Sequence, residues 1–226
     1  MAQTLQAGIM RQDSTALSVK AHLNTAPMLE NHSAIVKIES LEFDNFVYFN
    51  QTPASADLKK LIAWIRETGD NQEFPYLIID KVNAQLLIFN SNGELAGTTP
   101  VLLGMTHGDH STPGVNHRKL MEISPGERIT PAGRFILEFG HDLHGQDIFW
   151  VDYDAAISIH RIFTNNLKER RKERLQTSTH LDNRISYGCI NVEKEFYENT
   201  IRKVFQHTAG YAYIMPEEIP LELPFK

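Results

Sequence analysis

From residue 76 onward the chain is a succession of short apolar runs separated by turn residues. The segment "YLIIDKVNAQLLIFNSNGELAGTTPVLLG" predicts strand, tight turn, strand, Asn-Gly turn and strand. An Asn-Gly pair such as Asn92-Gly93 between apolar runs is a strong hairpin signal. "GRFILEF", "DIFWVD", "AAISIH" and "GYAYIMP" predict four further strands. Many short strands with few helices predict a β-rich α+β fold, a mixed sheet with helical additions.

The segment before this β-rich part has a different pattern. Residues 10–24 predict one amphipathic helix and residues 34–49 a strand pair. "SADLKKLIAWIRETG" predicts a clearer helix, with Ser55 as its N-cap and apolar residues on one face. We therefore expect a partly helical N-terminal extension of undetermined role over residues 1–72, and a second, β-rich domain over residues 73–226.

Composition excludes several classes of function. Hydrophobic residues make up 42% of the chain and charged residues 22%, the balance of a globular protein. The formal net charge of −6 gives no overall attraction to nucleic acid or to anionic lipid. No apolar run approaches the roughly 18 residues that a membrane span needs. The first residues lack the basic segment and apolar core of a secretory signal.

Cys189 is the only cysteine, so it cannot form an internal disulfide. Taken alone, a single free cysteine is more often a small buried residue than a reactive one. Its setting in "ISYGCINV" favours the reactive alternative. Gly188 allows a tight turn and the approach of a substrate. A nucleophilic thiol also needs oxyanion donors, and the consecutive N–H groups of Tyr187, Gly188 and Cys189 are candidates.

A helix is predicted to begin directly after this motif. Asn191 is a good N-cap, and Glu193 and Glu195 would lie in the first helical turn. Cys189 would then lie at the positive end of the helix dipole, which favours the thiolate.

These residues resemble the L,D-transpeptidase catalytic domain family (YkuD-like). The family signature is a His, a variable gap, and then Ser/Thr-His-Gly-Cys-apolar-Asn/Arg. The strand "SIH" ends in His160, and five positions of "SYGCIN" match: Ser186, Gly188, Cys189, Ile190 and Asn191. "ITPAGRF" is similar to the family's "TPxG" stretch, and the first hairpin is similar to the family's first strands. The resemblance covers about residues 75–215 and implies a sandwich-like or barrel-like mixed sheet that carries a catalytic site.

Two features depart from the family pattern. Tyr187 stands where the family usually has a histidine that is not the general base. His160 and Ser186 are separated by 25 residues, more than the family norm. The extra length lies mostly in "NNLKERRKERLQ". We expect residues 165–178 to be helical and to form a flap over the site.

The resemblance implies a role for each catalytic residue. Cys189 would be the nucleophile and His160 the base that takes its proton. A nearby backbone carbonyl orients the base in this family, and we assign that carbonyl to Arg161. His180, nine residues before Cys189, is a rival base.

Substrate contacts are predicted on both sides of the motif. Arg184 and Arg161 are candidates to bind a substrate carboxylate bidentately, and surface solvation is the alternative for each. Ser186 and Asn191 are further candidates for substrate binding.

Histidines in "HGDH" and "HDLH" raise a separate alternative, a zinc hydrolase. The candidate ligands are His107, Asp109, His110, His117, His141 and His144. Neither segment has a recognised ligand spacing with a catalytic Glu. We therefore predict no metal and no cofactor.

The resemblance implies a cysteine-dependent L,D-transpeptidase that acts on peptidoglycan stem peptides through a thioester acyl-enzyme. The outcome would be a cross-link or an anchored cell-wall protein. With water as acceptor the same site would be an L,D-carboxypeptidase, and a non-catalytic cell-wall binding module on the same fold is the other alternative. Because the polymer lies outside the cytoplasm, we expect a periplasmic or otherwise extracytoplasmic protein with a processed or engineered N-terminus. We expect no nucleic-acid partner and no membrane-spanning segment.

Overall fold

The computed structural model describes residues 53–225. The helix predicted within residues 10–24 and the strand pair predicted within residues 34–49 lie outside the described residues. The division of the chain at residue 72 remains a prediction.

The described residues form ten strands. They are β1 (Tyr76–Asp80), β2 (Gln85–Phe89), β3 (Leu95–Pro100), β4 (Leu103–Gly104), β5 (Gly133–His141), β6 (Asp147–Asp152), β7 (Ile157–Arg161), β8 (Arg184–Ser186), β9 (Ile190–Val192) and β10 (Gly210–Ile214). Eight of them form one sheet in the order β3-β2-β1-β10-β5-β6-β7-β9, and β4 pairs with β8. Within the large sheet β1 pairs with β10 and β7 with β9 in parallel, whereas the other pairs are antiparallel.

The sheet is nearly closed. Leu102, which follows edge strand β3, forms an antiparallel bridge with Asn191 on the opposite edge strand, β9. The small β4–β8 pair lies at the same junction, since β8 precedes β9 along the chain. The predicted β-rich α+β fold with a mixed, barrel-like sheet is confirmed.

Strands β1 and β2 are buried on both faces. Leu77 and Ile79 belong to the core inside the curved sheet, whereas Tyr76 and Ile78 belong to a second core on its outer face. Because successive side chains of a strand point to opposite faces, burial on both sides requires a continuous apolar run. This explains why the sequence shows apolar runs here and no alternation.

Helix α1 (Ala56–Thr68) covers the outer face of the sheet. The Ser55 side chain accepts a hydrogen bond from the Leu58 N–H at 3.1 Å, and Gly69 ends the helix with φ of +64°. The buried side chains Leu58, Leu61, Ile62 and Ile65 recur at helical spacing and pack on the β1–β2 hairpin and on β10. The predicted helix is therefore present, and its apolar face is what attaches it to the sheet.

The remaining helices are short. They are α2 (Arg171–Gln176), α3 (Lys194–Phe196), a π-helical turn (Tyr197–Ile201) and α4 (Arg202–Phe205), with 3-10 turns at Val115–His117, Leu120–Glu122, Pro125–Glu127 and Leu167–Glu169. The α3–α4 run fills the interior of the sheet with Tyr197, Ile201 and Phe205, which are fully buried.

Candidate active site

Cys189 lies in a tight turn between β8 and β9, next to Gly188 with φ of +127°. A Cβ atom at position 188 would lie 2.8 Å from the Ile129 carbonyl oxygen and 2.7 Å from Ile157 Cδ1. Glycine is therefore required both by the backbone angle and by close packing. Ser186 is buried and closes the turn, because its hydroxyl donates to the Cys189 carbonyl at 2.6 Å.

The N–H of Gly188 also donates to the Ser186 hydroxyl oxygen, at 3.1 Å. In this conformation that N–H does not point toward a substrate. The oxyanion role predicted for the neighbouring N–H groups of Tyr187 and Cys189 stays a prediction. The Ser186 hydroxyl, predicted to bind substrate, lies instead inside the turn.

Thr130 binds the backbone of the Cys189 turn. Its hydroxyl donates to the Gly188 carbonyl at 2.7 Å and accepts from the Gly104 N–H at 2.9 Å. Its own carbonyl accepts a hydrogen bond from the Lys81 ammonium at 3.0 Å. The "ITPAGRF" stretch thus contributes a side chain that fixes the backbone next to the thiol.

His160 reaches the site from β7, whose residues pair in parallel with β9 so that His160 lies beside Asn191. The ring Nδ1 lies 2.7 Å from the Arg161 carbonyl oxygen, which can only accept, so Nδ1 carries a proton. The ring Nε2 lies 3.1 Å from the Asn191 amide nitrogen. Phe163 packs its ring against the imidazole at a centroid distance of 4.8 Å. Both ring nitrogens and one face of the His160 imidazole are therefore fixed by contacts with neighbouring residues.

The half-buried Cys189 sulfur lies 3.5 Å from the Ala156 carbonyl oxygen and 3.6 Å from the Ser158 hydroxyl. Burial raises the pKa of the Cys189 thiol. A hydrogen bond to His160 and the charge of that imidazole lower it, as do hydrogen bonds from Ser158, and the net pKa lies below the ordinary value. The structure thus brings a thiol poised for ionisation next to an oriented imidazole.

The prediction that a helix begins at Asn191 is wrong. Residues 190–192 form strand β9, because their backbone pairs with β7 and with Leu102. The N-cap is Glu193, whose carboxylate accepts from the Glu195 N–H at 2.6 Å. A strand therefore separates Cys189 from the helix, and His160 rather than a helix dipole lowers the thiol pKa.

A model of the L,D-transpeptidase catalytic domain family (YkuD) matches residues 75–207. The chain belongs to this family. Two solved structures are similar to parts of the chain: that of the LD transpeptidase LdtMt1 in complex with imipenem (14% identity, TM-score 0.35) and that of Bdellovibrio bacteriovorus Bd1075 (15% identity, TM-score 0.37). The matches cover 62% and 66% of this chain and only 58% and 50% of those chains. Among curated proteins no match was found.

In this L,D-transpeptidase domain, Tyr187 forms part of the exposed surface beside the thiol. The Arg128 guanidinium stacks over its ring at 3.8 Å and also donates to the Ile123 carbonyl at 3.0 Å. A cation over an aromatic face is attractive because the ring's quadrupole is negative there. Tyr187 is therefore held in place by stacking against Arg128.

The two arginines predicted to bind a substrate carboxylate are paired within the domain. The Arg161 guanidinium contacts Asp147 at 2.9 Å and Glu198 at 2.6 Å. Arg184 pairs with the buried Glu217 carboxylate. Both side chains are therefore engaged by internal carboxylates, and a direct contact with substrate stays a prediction for each.

His180, the rival base, faces a different part of the domain. It lines a cavity of about 240 Å³ whose walls are Lys81, Val82, His107, His180, Leu181, Arg184 and Glu217. The imidazole whose hydrogen bond and charge lower the pKa of the Cys189 thiol is that of His160. The structure therefore separates the two candidate bases into two environments.

Two of the residues considered as metal ligands, Asp109 and His107, make ion-pair contacts. Asp109 accepts from the Lys81 ammonium at 2.7 Å, and His107 Nδ1 lies 2.7 Å from Glu217. Within residues 53–225, no three His, Cys, Asp or Glu side chains are grouped so that they could hold a metal ion. In the same part of the chain no helix has the length and apolar character needed to cross a membrane.

The insert predicted at residues 165–178 contains the 3-10 turn at Leu167–Glu169 and helix α2. Leu175 is buried, and the Arg174 guanidinium donates to the Glu169 carbonyl at 2.8 Å and to the Asp182 carbonyl. Arg171 donates to the Asn191 side chain. The insert therefore packs on the domain and contacts Asn191, which lies beside His160.

Sequence reasoning missed several residues around the thiol. Ser158 had a usable signal, because it lies two positions before His160 on a strand and must share its face. No local sequence signal marks Arg128 or Arg171, because each reaches the site from a distant loop or from the insert.

Proposed function

We propose that this chain is a cysteine-dependent L,D-transpeptidase that acts on peptidoglycan stem peptides through a thioester acyl-enzyme. Membership of the family supports the reaction class. The observation that carries the proposal is that β7 places Ser158 3.6 Å from the Cys189 sulfur and places His160 opposite Asn191, with Nδ1 of His160 donating to the Arg161 carbonyl. Burial raises the pKa of the Cys189 thiol, but the hydrogen bond and charge of His160, together with hydrogen bonds from Ser158, lower it by more. A thiol ionised by an oriented imidazole is the arrangement that nucleophilic catalysis needs.

The first half-reaction forms the acyl-enzyme. The proton of the Cys189 thiol passes to His160 Nε2, and the thiolate attacks the carbonyl carbon at the L-centre of the diamino acid in the donor stem. N–H groups of the turn at Tyr187 and Cys189 stabilise the oxyanion. The carbon–nitrogen bond then breaks, the nitrogen of the terminal D-amino acid takes the proton from His160, and a thioester remains.

The second half-reaction resolves the thioester. An acceptor amine gives its proton to His160 and attacks the thioester carbonyl, which expels the Cys189 thiolate and forms an amide. An acceptor on another stem peptide gives a cross-link, whereas an amine on a cell-wall protein gives an anchored protein. Water as acceptor would give an L,D-carboxypeptidase. The dryness of the site during this step decides between amine and water.

The substrate also implies a location. Peptidoglycan lies outside the cytoplasm, so we place the protein in the periplasm or another extracytoplasmic compartment. Residues 73–226 would form the catalytic domain. We assign Ser186 and Arg184 to holding the site, because their polar atoms bind the Cys189 carbonyl and the Glu217 carboxylate.

The test is mass spectrometry of a stem tetrapeptide incubated with an acceptor amine. We expect the wild type to release the terminal D-amino acid and form an amide product, and Cys189→Ala to form none. His160→Ala should reduce the rate by roughly a hundredfold or more, as loss of a general base does. Cys189→Ser is the matched control, because it keeps the shape and removes the reactive thiol.

Incubation with a carbapenem separates the enzyme from a binding module on the same fold. An enzyme gives a covalent adduct that maps to Cys189. A folded wild-type protein that binds stem peptides but gives neither adduct nor product would show that the chain is a binding module instead.

A further inference from the structure

The insert reaches the base through one side chain of the Cys189 motif. Arg171 on α2 donates to Asn191 Oδ1, and the Asn191 amide nitrogen lies 3.1 Å from His160 Nε2. We propose that Arg171 is a positioning residue that, through Asn191, fixes the His160 tautomer in which Nδ1 carries the proton and Nε2 does not. This inference rests on the proposed function, since it concerns the proposed base.

The direction of each hydrogen bond is fixed by chemistry. A guanidinium only donates, so the Asn191 atom that faces Arg171 must be the carbonyl oxygen. The amide nitrogen therefore faces His160, and a donor there requires a ring nitrogen without a proton. The opposite ring nitrogen carries the proton, because it faces the Arg161 carbonyl. All three contacts are consistent with one tautomer.

Burial makes this arrangement hard to rearrange. Asn191 is fully buried, and the side chain of Arg171 is only 11% exposed. The carboxylate of Glu169 holds the guanidinium at 2.6 Å. Rotating the Asn191 amide would leave the Arg171 donor facing an NH₂ group, so that two buried donors would both lack an acceptor. Arg171 therefore opposes that rotation.

Four of the described side chains near the His160 imidazole can carry a charge. Cys189 faces the ring as the reaction partner, and Arg171 with its Glu169 partner lies behind Asn191. The Arg161 side chain points away, to Asp147 and Glu198.

Loss of Arg171 would let the amide rotate and present Oδ1 to Nε2. An acceptor at that position pairs only with an Nε2 that carries a hydrogen, and a nitrogen that already carries one cannot take the thiol proton. The expected result is slower acylation with little change in substrate affinity.

The experiment compares Arg171→Met with Arg171→Lys, which keeps a donor, and with Lys172→Met, which removes an equal charge from an exposed neighbouring side chain. The first readout is the nitrogen NMR signal of the His160 ring, which distinguishes a protonated from an unprotonated Nε2. The second is the rate of Cys189 acylation by a carbapenem.

We expect Arg171→Met to show a hydrogen on Nε2 and to acylate about tenfold more slowly, a smaller loss than the roughly 10²–10⁴-fold that a general base contributes. Arg171→Lys should recover most of the rate, and Lys172→Met should match the wild type. An unprotonated Nε2 in folded Arg171→Met would overturn the inference.

The NMR readout needs no turnover, so a wild type that fails to acylate would refute the proposed function without touching this inference. If Arg171→Met does not fold, Glu169→Gln takes its place and should give a smaller change in the same direction. An unchanged ring signal in Glu169→Gln would then count against the inference.

Discussion

Two polar clusters lie on either side of Thr130, and they are built in opposite ways. In the ionic cluster the side chains of Lys81, Asp109, Glu217 and Arg184 are each at most 9% exposed and pair with each other. Asp109 also accepts three backbone N–H groups, from residues 217–219, at 2.9–3.0 Å.

The second cluster, formed by Cys189 and His160, has far longer contacts at its sulfur atom. The Cys189 sulfur has neighbours at 3.5 and 3.6 Å, a carbonyl and a hydroxyl. The difference shows that the ionic cluster satisfies its charges to hold the C-terminal segment and the base of the Cys189 turn. The Cys189–His160 cluster leaves the sulfur atom with only these long contacts.

The largest expected difference is in stability. Lys81→Met should lower the free energy of unfolding by about 3–5 kcal/mol, because it leaves the Asp109 carboxylate buried without its cation. Cys189→Ala should change it by less than about 1.5 kcal/mol, because the sulfur makes only long contacts. Urea unfolding of both variants measures this, and equal losses would mean that the two clusters contribute alike.

Acid should act on the ionic cluster at a defined pH. The pKa of Asp109 is lowered from 3.8 to about 2. Burial by itself would raise this pKa, but the Lys81 ammonium and the backbone N–H groups of residues 217–219 lower it by more. As the pH falls, the unfolded state binds a proton at Asp109 before the folded state does. The Asp109 carboxylate therefore contributes about 2 kcal/mol to the free energy of unfolding above pH 4, and this contribution is lost as the pH falls toward 2.

Urea unfolding between pH 5 and pH 2 checks the prediction, with Asp109→Asn as the control. The difference in stability between wild type and variant should shrink as the pH falls. A constant difference would show that the carboxylate's charge is not what matters.

The reactivity of the thiol should depend on His160. Removing the imidazole leaves the burial that raises the Cys189 pKa and takes away the interactions that lower it. His160→Ala should therefore alkylate with iodoacetamide about tenfold more slowly at pH 7, since only the thiolate reacts. The rate as a function of pH gives the pKa directly, and His180→Ala serves as the comparison that should leave it unchanged.

The smallest expected effect concerns the surface beside the thiol. Arg128→Met should cost about 0.5–1 kcal/mol of stability, because it removes the cation stacked on Tyr187. Tyr187→Phe keeps the ring and should cost less. Thermal unfolding compares the two, and a larger loss in Tyr187→Phe would indicate that the hydroxyl rather than the stacking matters.

Local sequence patterns predicted most elements. The β1–β2 hairpin, β5, β6, β7, β10 and helix α1 each have their own periodicity, caps or turn residues, so short-range information is sufficient. The helix expected at Asn191 failed because pairing with β7 and Leu102 outweighed the capping preference of one residue. Pairing partners far away along the chain are invisible to a local pattern.

The sequence alone determined that one thiol lies in a glycine turn, that strands dominate, and that the motif belongs with the L,D-transpeptidases. Only the tertiary structure decided that His160 faces Cys189 while His180 lines a separate cavity, that Arg184 and Arg161 pair internally, and that Arg171 reaches Asn191. The physical reason is that turns and strands follow from neighbouring residues, whereas these contacts follow from the register of β7 on β9 and from how the insert docks.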